Sequence, residues 1–209
     1  VGETRPGFLS ARPAGTPRPR RLTSFLNQNG TGQATAASVI LPVSPDGVTI
    51  YSYAGGHVIV DVVGWFTGAA SADSSTGLYV PSSPTRLHDT REQRPRLARD
   101  GTIELPNPFG ADAAALVTNV TVTQADWAGF ITAYPAGTTR PGTSTVNVNF
   151  HDQTVANMAI TGTSSRGTAY YAMAGIDVIV DVAGYFTGTP VEATEPVPAN
   201  AERTPRLLV

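Results

Sequence analysis

The chain has 209 residues, 41% of them hydrophobic, which is enough for a real core in one large domain or two small ones. A net charge of −2 leaves no basic footprint for nucleic acid, and all 14 basic residues are Arg, so no Lys isopeptide cross-link can form. No apolar run approaches the length of a membrane-spanning helix, cysteine is absent, and the charged fraction is only 14%.

Thr, Ser, Gly and Pro are abundant, a mixture that suits short strands and tight turns. The missing disulfides do not place the protein inside a cell, because a secreted domain with a large core needs none. The chain has no initiating Met and no signal peptide, the expectation for a processed or trimmed polypeptide.

The first elements along the chain are written twice. Gly7-Phe8-Leu9-Ser10-Ala11-Arg12-Pro13-Ala14-Gly15-Thr16 resembles Gly129-Phe130-Ile131-Thr132-Ala133-Tyr134-Pro135-Ala136-Gly137-Thr138. Asn27 to Asn29 matches Asn147 to Asn149, and the turn Asp46-Gly47 falls where Arg166-Gly167 falls. The run from His57 through Val60-Asp61-Val62-Val63-Gly64-Trp65-Phe66 to Gly68 recurs from Asp177 through Val180-Asp181-Val182-Ala183-Gly184-Tyr185-Phe186 to Gly188, 120 residues on. A repeat of this kind sets the architecture before any motif does. Residues 1–68 form a partial copy, its C-terminal half, and 69–76 a linker. Residues 77–188 form the complete copy.

Within the complete copy the pattern predicts nine strands, near 78–82, 86–90, 101–106, 114–124, 129–135, 144–150, 154–162, 167–173 and 177–187. Leu116, Thr118, Val120 and Val122 alternate with Asn119, Thr121 and Thr123, the period of two of a half-buried antiparallel strand. In the tail, both faces are mostly apolar, so that strand is expected at the centre of a sheet, covered on both sides. Short stretches near 33–38 and 111–115 hint at helix, but their β-branched and Thr-rich neighbours argue against it. The expected fold is all-β: antiparallel β-sandwich repeats, jelly-roll-like, one complete and one partial copy. A closed barrel is the alternative. After the complete copy, 189–204 is rich in Pro, Glu and Ala and reads as a linker. Residues 205–209 start a further repeat or act as a donor strand, since Pro205-Arg206-Leu207-Leu208-Val209 resembles Pro84-Thr85-Arg86-Leu87-His88, with Arg86 and Arg206 again 120 apart.

Several residues stand out for chemistry. Asp61 and Asp181 interrupt apolar strands, where an acid needs a partner. Arg86, Asp89 and Arg91 cluster in the other strong motif, and an Arg fork binds a carboxylate at two points. Asp181 is therefore expected to pair with Arg86 or Arg91. Asp61 has no such segment in its own copy, so Arg206 is its expected partner. A half-copy leaves strand edges open, and open edges recruit strands; Arg206, Leu207 and Leu208 are the strand-exchange candidates, within a chain or between chains. Trp65, Trp127, Tyr134 and Tyr170 are candidates for stacking on a glycan, although such rings also serve as packing. No catalytic residue, metal site or cofactor is assigned: the three His stand apart, and no nucleophile elbow, zinc motif or phosphate loop appears.

The ordered motifs Pro84-Thr85-Arg86-Leu87-His88-Asp89-Thr90-Arg91, Val117-Thr118-Asn119-Val120-Thr121-Val122-Thr123, Gly129-Phe130-Ile131-Thr132-Ala133-Tyr134-Pro135, Val146-Asn147-Val148-Asn149-Phe150, Gln153-Thr154-Val155-Ala156-Asn157 and Val180-Asp181-Val182-Ala183-Gly184-Tyr185-Phe186 resemble a repeat of secreted and cell-surface proteins of actinobacteria. The resemblance covers nearly all of 77–188 and most of 7–68. It departs at His88, where that repeat has a second Leu, and again after Leu208. It implies an extracellular, surface-associated β-rich module, often in tandem and often attached to wall-associated proteins, with no known catalytic activity. The expected function is a non-catalytic structural or adhesive repeat: a surface stalk, spacer or fibre subunit assembling by strand exchange. Its expected partners are copies of itself or neighbouring repeats. The alternative is a carbohydrate- or cell-wall-binding accessory module of a wall-active enzyme, with a glycan or the wall as partner.

Overall fold

The computed structural model describes residues 2, 5–19, 23–68, 71–93 and 95–194. The fold is all-β: three antiparallel sheets, one 3-10 turn at Gly110–Asp112, and no α-helix among the described residues. The chain divides into two compact units, Val1–Val60 and Asp61–Val209.

The first unit holds β1 (Gly7–Pro13), β2 (Leu26–Gln28) and β3 (Val48–Ser52), in the order β2-β1-β3. The second holds β4 (Tyr79–Asp89), β5 (Gly101–Leu105), β6 (Ala113–Thr123), β7 (Gly129–Pro135), β8 (Val146–Val148), β9 (Val155–Gly162), β10 (Thr168–Ala172) and β11 (Asp177–Thr187). These eight form two four-stranded sheets, β4-β11-β6-β9 and β5-β10-β7-β8. Strands pair as nested hairpins, first with last (β4 with β11), then β5 with β10, β6 with β9 and β7 with β8. A long antiparallel ribbon rolled on itself gives this wiring, that of a jelly roll rather than a closed barrel.

One core lies between the two sheets. Leu116, Val120, Val122, Val178 and Val180 reach it from one sheet, and Ile103, Leu105, Ile131, Val146 and Tyr170 from the other. Alternation along each strand delivers these side chains to one face. At Gly184 the ladder slips, and Tyr185 turns into the core, its ring stacked 4.6 Å from Phe109. The slip needs a glycine there: a Cβ at 184 would stand 2.5 Å from the Val80 carbonyl oxygen of β4.

Three expectations change. The segments near 78–82 and 86–90 are one strand, β4. It accepts Pro81 and Pro84 because it is a sheet edge, where a missing N–H leaves no gap in a ladder. The start of the stretch expected as a linker after Gly188 is bonded, with Val191 N–H donating to the Thr163 carbonyl at 2.9 Å and Thr194 N–H to that of Gly137 at 2.8 Å. The largest change is at 57–68, expected as a central strand. It belongs to no strand, and its apolar side chains are exposed, Ile59 by 81% and Trp65 by 85%.

Candidate functional site

The sheet of the first unit repeats half of one sheet of the second, pair for pair. Leu9 faces Leu26 and Ser52 as Ile131 faces Val146 and Ala172. Pro13 faces Val48 as Pro135 faces Thr168. The loops repeat too: Ser44 and Gly47 bridge as Ser164 and Gly167 do, and Ala14 N–H donates to the Gly47 carbonyl as Ala136 N–H donates to that of Gly167. Even a surface cluster is copied. Arg18 lies 4.2 Å from the Tyr51 ring beside Phe8, and Arg140 lies 4.0 Å from the Tyr171 ring beside Phe130. Each is a cation–π contact on the outer face of the sheet.

What the first unit lacks follows from the nested pairing. Residues 35–42 correspond to β9, whose partner is β6. Residues 57–67 correspond to β11, which runs between β4 and β6. Among the described residues the first copy has no counterpart of β4, β5 or β6, and neither stretch enters a sheet. A strand without a neighbouring strand has no ladder to hold it extended, so neither stretch forms one. Apolar side chains along each stretch stay exposed, Ile40 in the first and Ile59, Val62, Trp65 and Phe66 in the second, where the Phe66 ring also lies 5.9 Å from Phe186. Burying side chains of this size contributes about 1.5–3 kcal/mol each.

In the complete copy the expected ion-pair residues come together. Arg86 Nη1 donates to Asp89 Oδ2 at 2.9 Å. Arg91 clamps the same carboxylate, with Nη2 to Oδ2 at 2.6 Å, Nε to Oδ1 at 2.9 Å and backbone N–H to Oδ1 at 3.0 Å. Arg86 also pairs with Asp181 through Nε, and its Nη2 reaches Asp181 Oδ2 at 3.4 Å. Arg86 and Asp89 are three apart, so a regular strand would place them on opposite faces. A bulge at Leu87 supplies the odd residue: Asp181 faces Arg86 while Val180 faces His88. The side-chain bonds from Arg91 hold the Asp89 carboxyl down at about 2, against the opposing effect of burial. Bonding to Asp181 raises the Arg86 guanidinium in turn. His88 has its pKa lowered by burial, an effect partly offset by a bond to Gln93.

Sequence reasoning missed the neighbouring half of this network. Buried Asp177 accepts from Thr90 Oγ1 at 2.8 Å and pairs with Arg96 Nε at 3.5 Å, and Arg96 Nη1 also reaches Asp126 at 2.9 Å. Thr90 N–H donates to the Val178 carbonyl at 3.0 Å, which ties the end of β4 to the start of β11. Another missed pair is Arg166 on Glu104, Nε to Oε2 at 3.0 Å. An acid opening an apolar run, as Asp177 opens Val178-Ile179-Val180, was the available signal; nothing local marks Arg96.

Asp61 is exposed, and no hydrogen bond or ion pair joins it to another described residue. Its expected partner Arg206, with Leu207 and Leu208, lies outside the described residues. Of the proposed stacking rings, Trp65 and Trp127 are exposed. Strand parity sends Tyr170 fully into the core, and Tyr134, on the outer face, is only 9% exposed because it packs with Ala136, Ala169 and Tyr171, so neither offers a free face. Tyr171, next along β10, points outward instead, and its hydroxyl donates to Asp100 at 2.5 Å. No group of three or more potential metal ligands gathers among the described residues. Comparison with family models, curated proteins and solved structures returns no match.

Proposed function

We propose that this chain is a non-catalytic structural or adhesive repeat of an extracellular, surface-associated protein, a stalk, spacer or fibre subunit that associates by strand addition to the first unit. The observation that carries this reading is where the buried charge goes. Asp89, Asp177 and Glu104 are all buried, and each is bound by an Arg or Thr of its own unit. Their lone pairs join turns to strands. The duplicated ladder register and turn bonds support the same reading: among the described residues the scaffold recurs in the two copies, and the ionic cluster does not.

Sedimentation velocity over a concentration series tests the proposal. The expected result is association that rises with concentration and falls when residues 203–209 are deleted. A chain that stays monomeric throughout, or that digests a cell-wall preparation, would overturn it.

A second reading, a carbohydrate- or wall-binding module, is favoured by one observation: Trp127 is exposed in the loop between β6 and β7, three residues before Phe130 of the outward Phe130–Tyr171 pair. Retention on peptidoglycan or chitin that is lost in Trp127→Ala would support it over the structural reading.

A further inference from the structure

We infer that the partial copy, residues 1–68, is the acceptor half of a sandwich, and that its occupant is a β4–β5–β6 segment of this same repeat type. The inference rests on the structural reading above and names the strands involved. Four observations converge on it.

The first is the sorting of strands. Every ladder whose two members are present in the first copy has formed, in the same register as in the second. The two stretches left without a strand, 35–42 and 57–67, are those whose hairpin partners are β6 and β4 in the complete copy. Loss of fold is confined to the pairs that need the absent segment.

The second is the space around two glycines. A Cβ on Gly184 would meet the Val80 carbonyl oxygen of β4 at 2.5 Å, and one on Gly167 would meet the Leu105 carbonyl oxygen of β5 at 2.1 Å. Their counterparts Gly64 and Gly47 have nothing within 4 Å. By contrast, Gly7 and Gly129, whose neighbour exists in both copies, are crowded in both, by Ala54 and Ala174. Gly64 is shaped for a backbone that the described residues of the partial copy do not themselves provide. Gly47 also serves its turn through a positive φ, so Gly64 is the cleaner witness.

The third is charge. Asp181 sits opposite Arg86 of β4 and pairs with it. Asp61 occupies the same register with no partner among the described residues, and an occupant carrying Arg-Leu-x-Asp-Thr-Arg places a guanidinium opposite it.

The fourth is the apolar pattern. Val58, Val60 and Val62 are the counterparts of Val178, Val180 and Val182, which are buried between β4 and β6. A β6-type strand fits between 57–67 and 35–42, as β6 lies between β11 and β9. A β5-type strand fits the open edge of β3. Trp65 then meets the counterpart of Phe109, as Tyr185 does. Strand addition of this kind combines main-chain bonds for affinity with alternate side-chain pockets for register.

The test adds a second copy of residues 77–124 ahead of Val1 through a flexible linker, in the full chain carrying Trp127→Phe so that Trp65 reports alone. The expected result is a blue shift of Trp65 emission. Amide exchange over 58–67 should slow on the order of a hundredfold, the contrast between an open and a packed strand. Asp61→Arg should cancel most of the slowing, and Arg86→Asp in the added segment should restore it. Protection of β6 and β11 serves as the control for folding of the second unit. If the added segment compromises folding, the 77–124 peptide supplied in trans to the intact chain gives the same readouts. Unchanged emission and exchange in both formats, with the second unit folded, overturns the inference. So does protection of 58–67 in the parent chain that grows with its concentration, which assigns the surface to a whole second copy. The fusion can fail while sedimentation still shows association, and then only the three-strand completion falls. Association can be absent while the fusion closes the unit, and then only self-assembly falls.

Discussion

Replacing Asp89 by Asn should open a stability gap that depends on pH. Asp89 is 1% exposed and accepts from Arg86 and from three donors of Arg91. Its carboxyl titrates at about 2 in the folded chain against 3.8 ordinarily. A depressed folded pKa contributes stability that is fully present above the unfolded value and is lost as pH falls through the folded one. The window therefore runs from near 4 down to about 2. At about 1.36 kcal/mol per pKa unit, the ceiling is about 2.4 kcal/mol. The guanidiniums of Arg86 and Arg91 remain 46% and 42% exposed, so solvent screens the cluster and the expected contribution falls to about 1–2 kcal/mol. The assay is urea unfolding of the parent and Asp89→Asn chains at a series of pH values, both in a Trp65→Phe background so that Trp127 reports on the second unit. Subtracting the two curves cancels the other carboxyls. The gap should be about 1–2 kcal/mol at pH 6 and close as pH approaches 2. A gap that stays constant with pH would show that the Arg clamp does not set the charge of Asp89, and the reasoning would fail.

Gly184→Ala should destabilise the second unit by about 1–3 kcal/mol, because the new methyl meets backbone that cannot yield, while Gly64→Ala stays within about 0.5 kcal/mol; equal urea midpoints for the two variants would contradict the packing contrast. His88→Leu should remove an acid sensitivity. Burial lowers the imidazole pKa, so the parent holds its full stability above pH 6.5 and loses it as pH drops below, and the variant's melting temperature should change less between pH 7.5 and 5. Tyr170→Ala should cost about 3–5 kcal/mol through the cavity it leaves, against under about 1 kcal/mol for outward-facing Tyr171→Ala, as read from the same unfolding curves.

Part of the ionic cluster was legible before any coordinates. Asp181 stands in an apolar strand, and a strand acid needs a cation, so Arg86 or Arg91 was nameable, and the register of β4 on β11 decided for Arg86. That Asp89 joins the same face was not, because it depends on the extra residue at Leu87. Nor was Arg96 legible, since it reaches Asp177 and Asp126 from a loop with no local pattern. Tyr170 and Tyr171 show the same limit: adjacent rings look alike in sequence, and only strand parity sends one inward.

The sequence by itself determined the strand-rich class, the duplicated block and most strand positions, because alternation, turn residues and a repeat are local or self-referential signals. Tertiary structure alone decided the fate of 57–68. Its residues match a central strand nearly letter for letter, yet a strand is defined by its neighbours, and among the described residues β4 and β6 have no counterpart beside it. Identical local preference gives a buried ladder in one copy and an open, apolar segment in the other, because in a sheet the hydrogen bonds that fix a strand belong to the strands on either side.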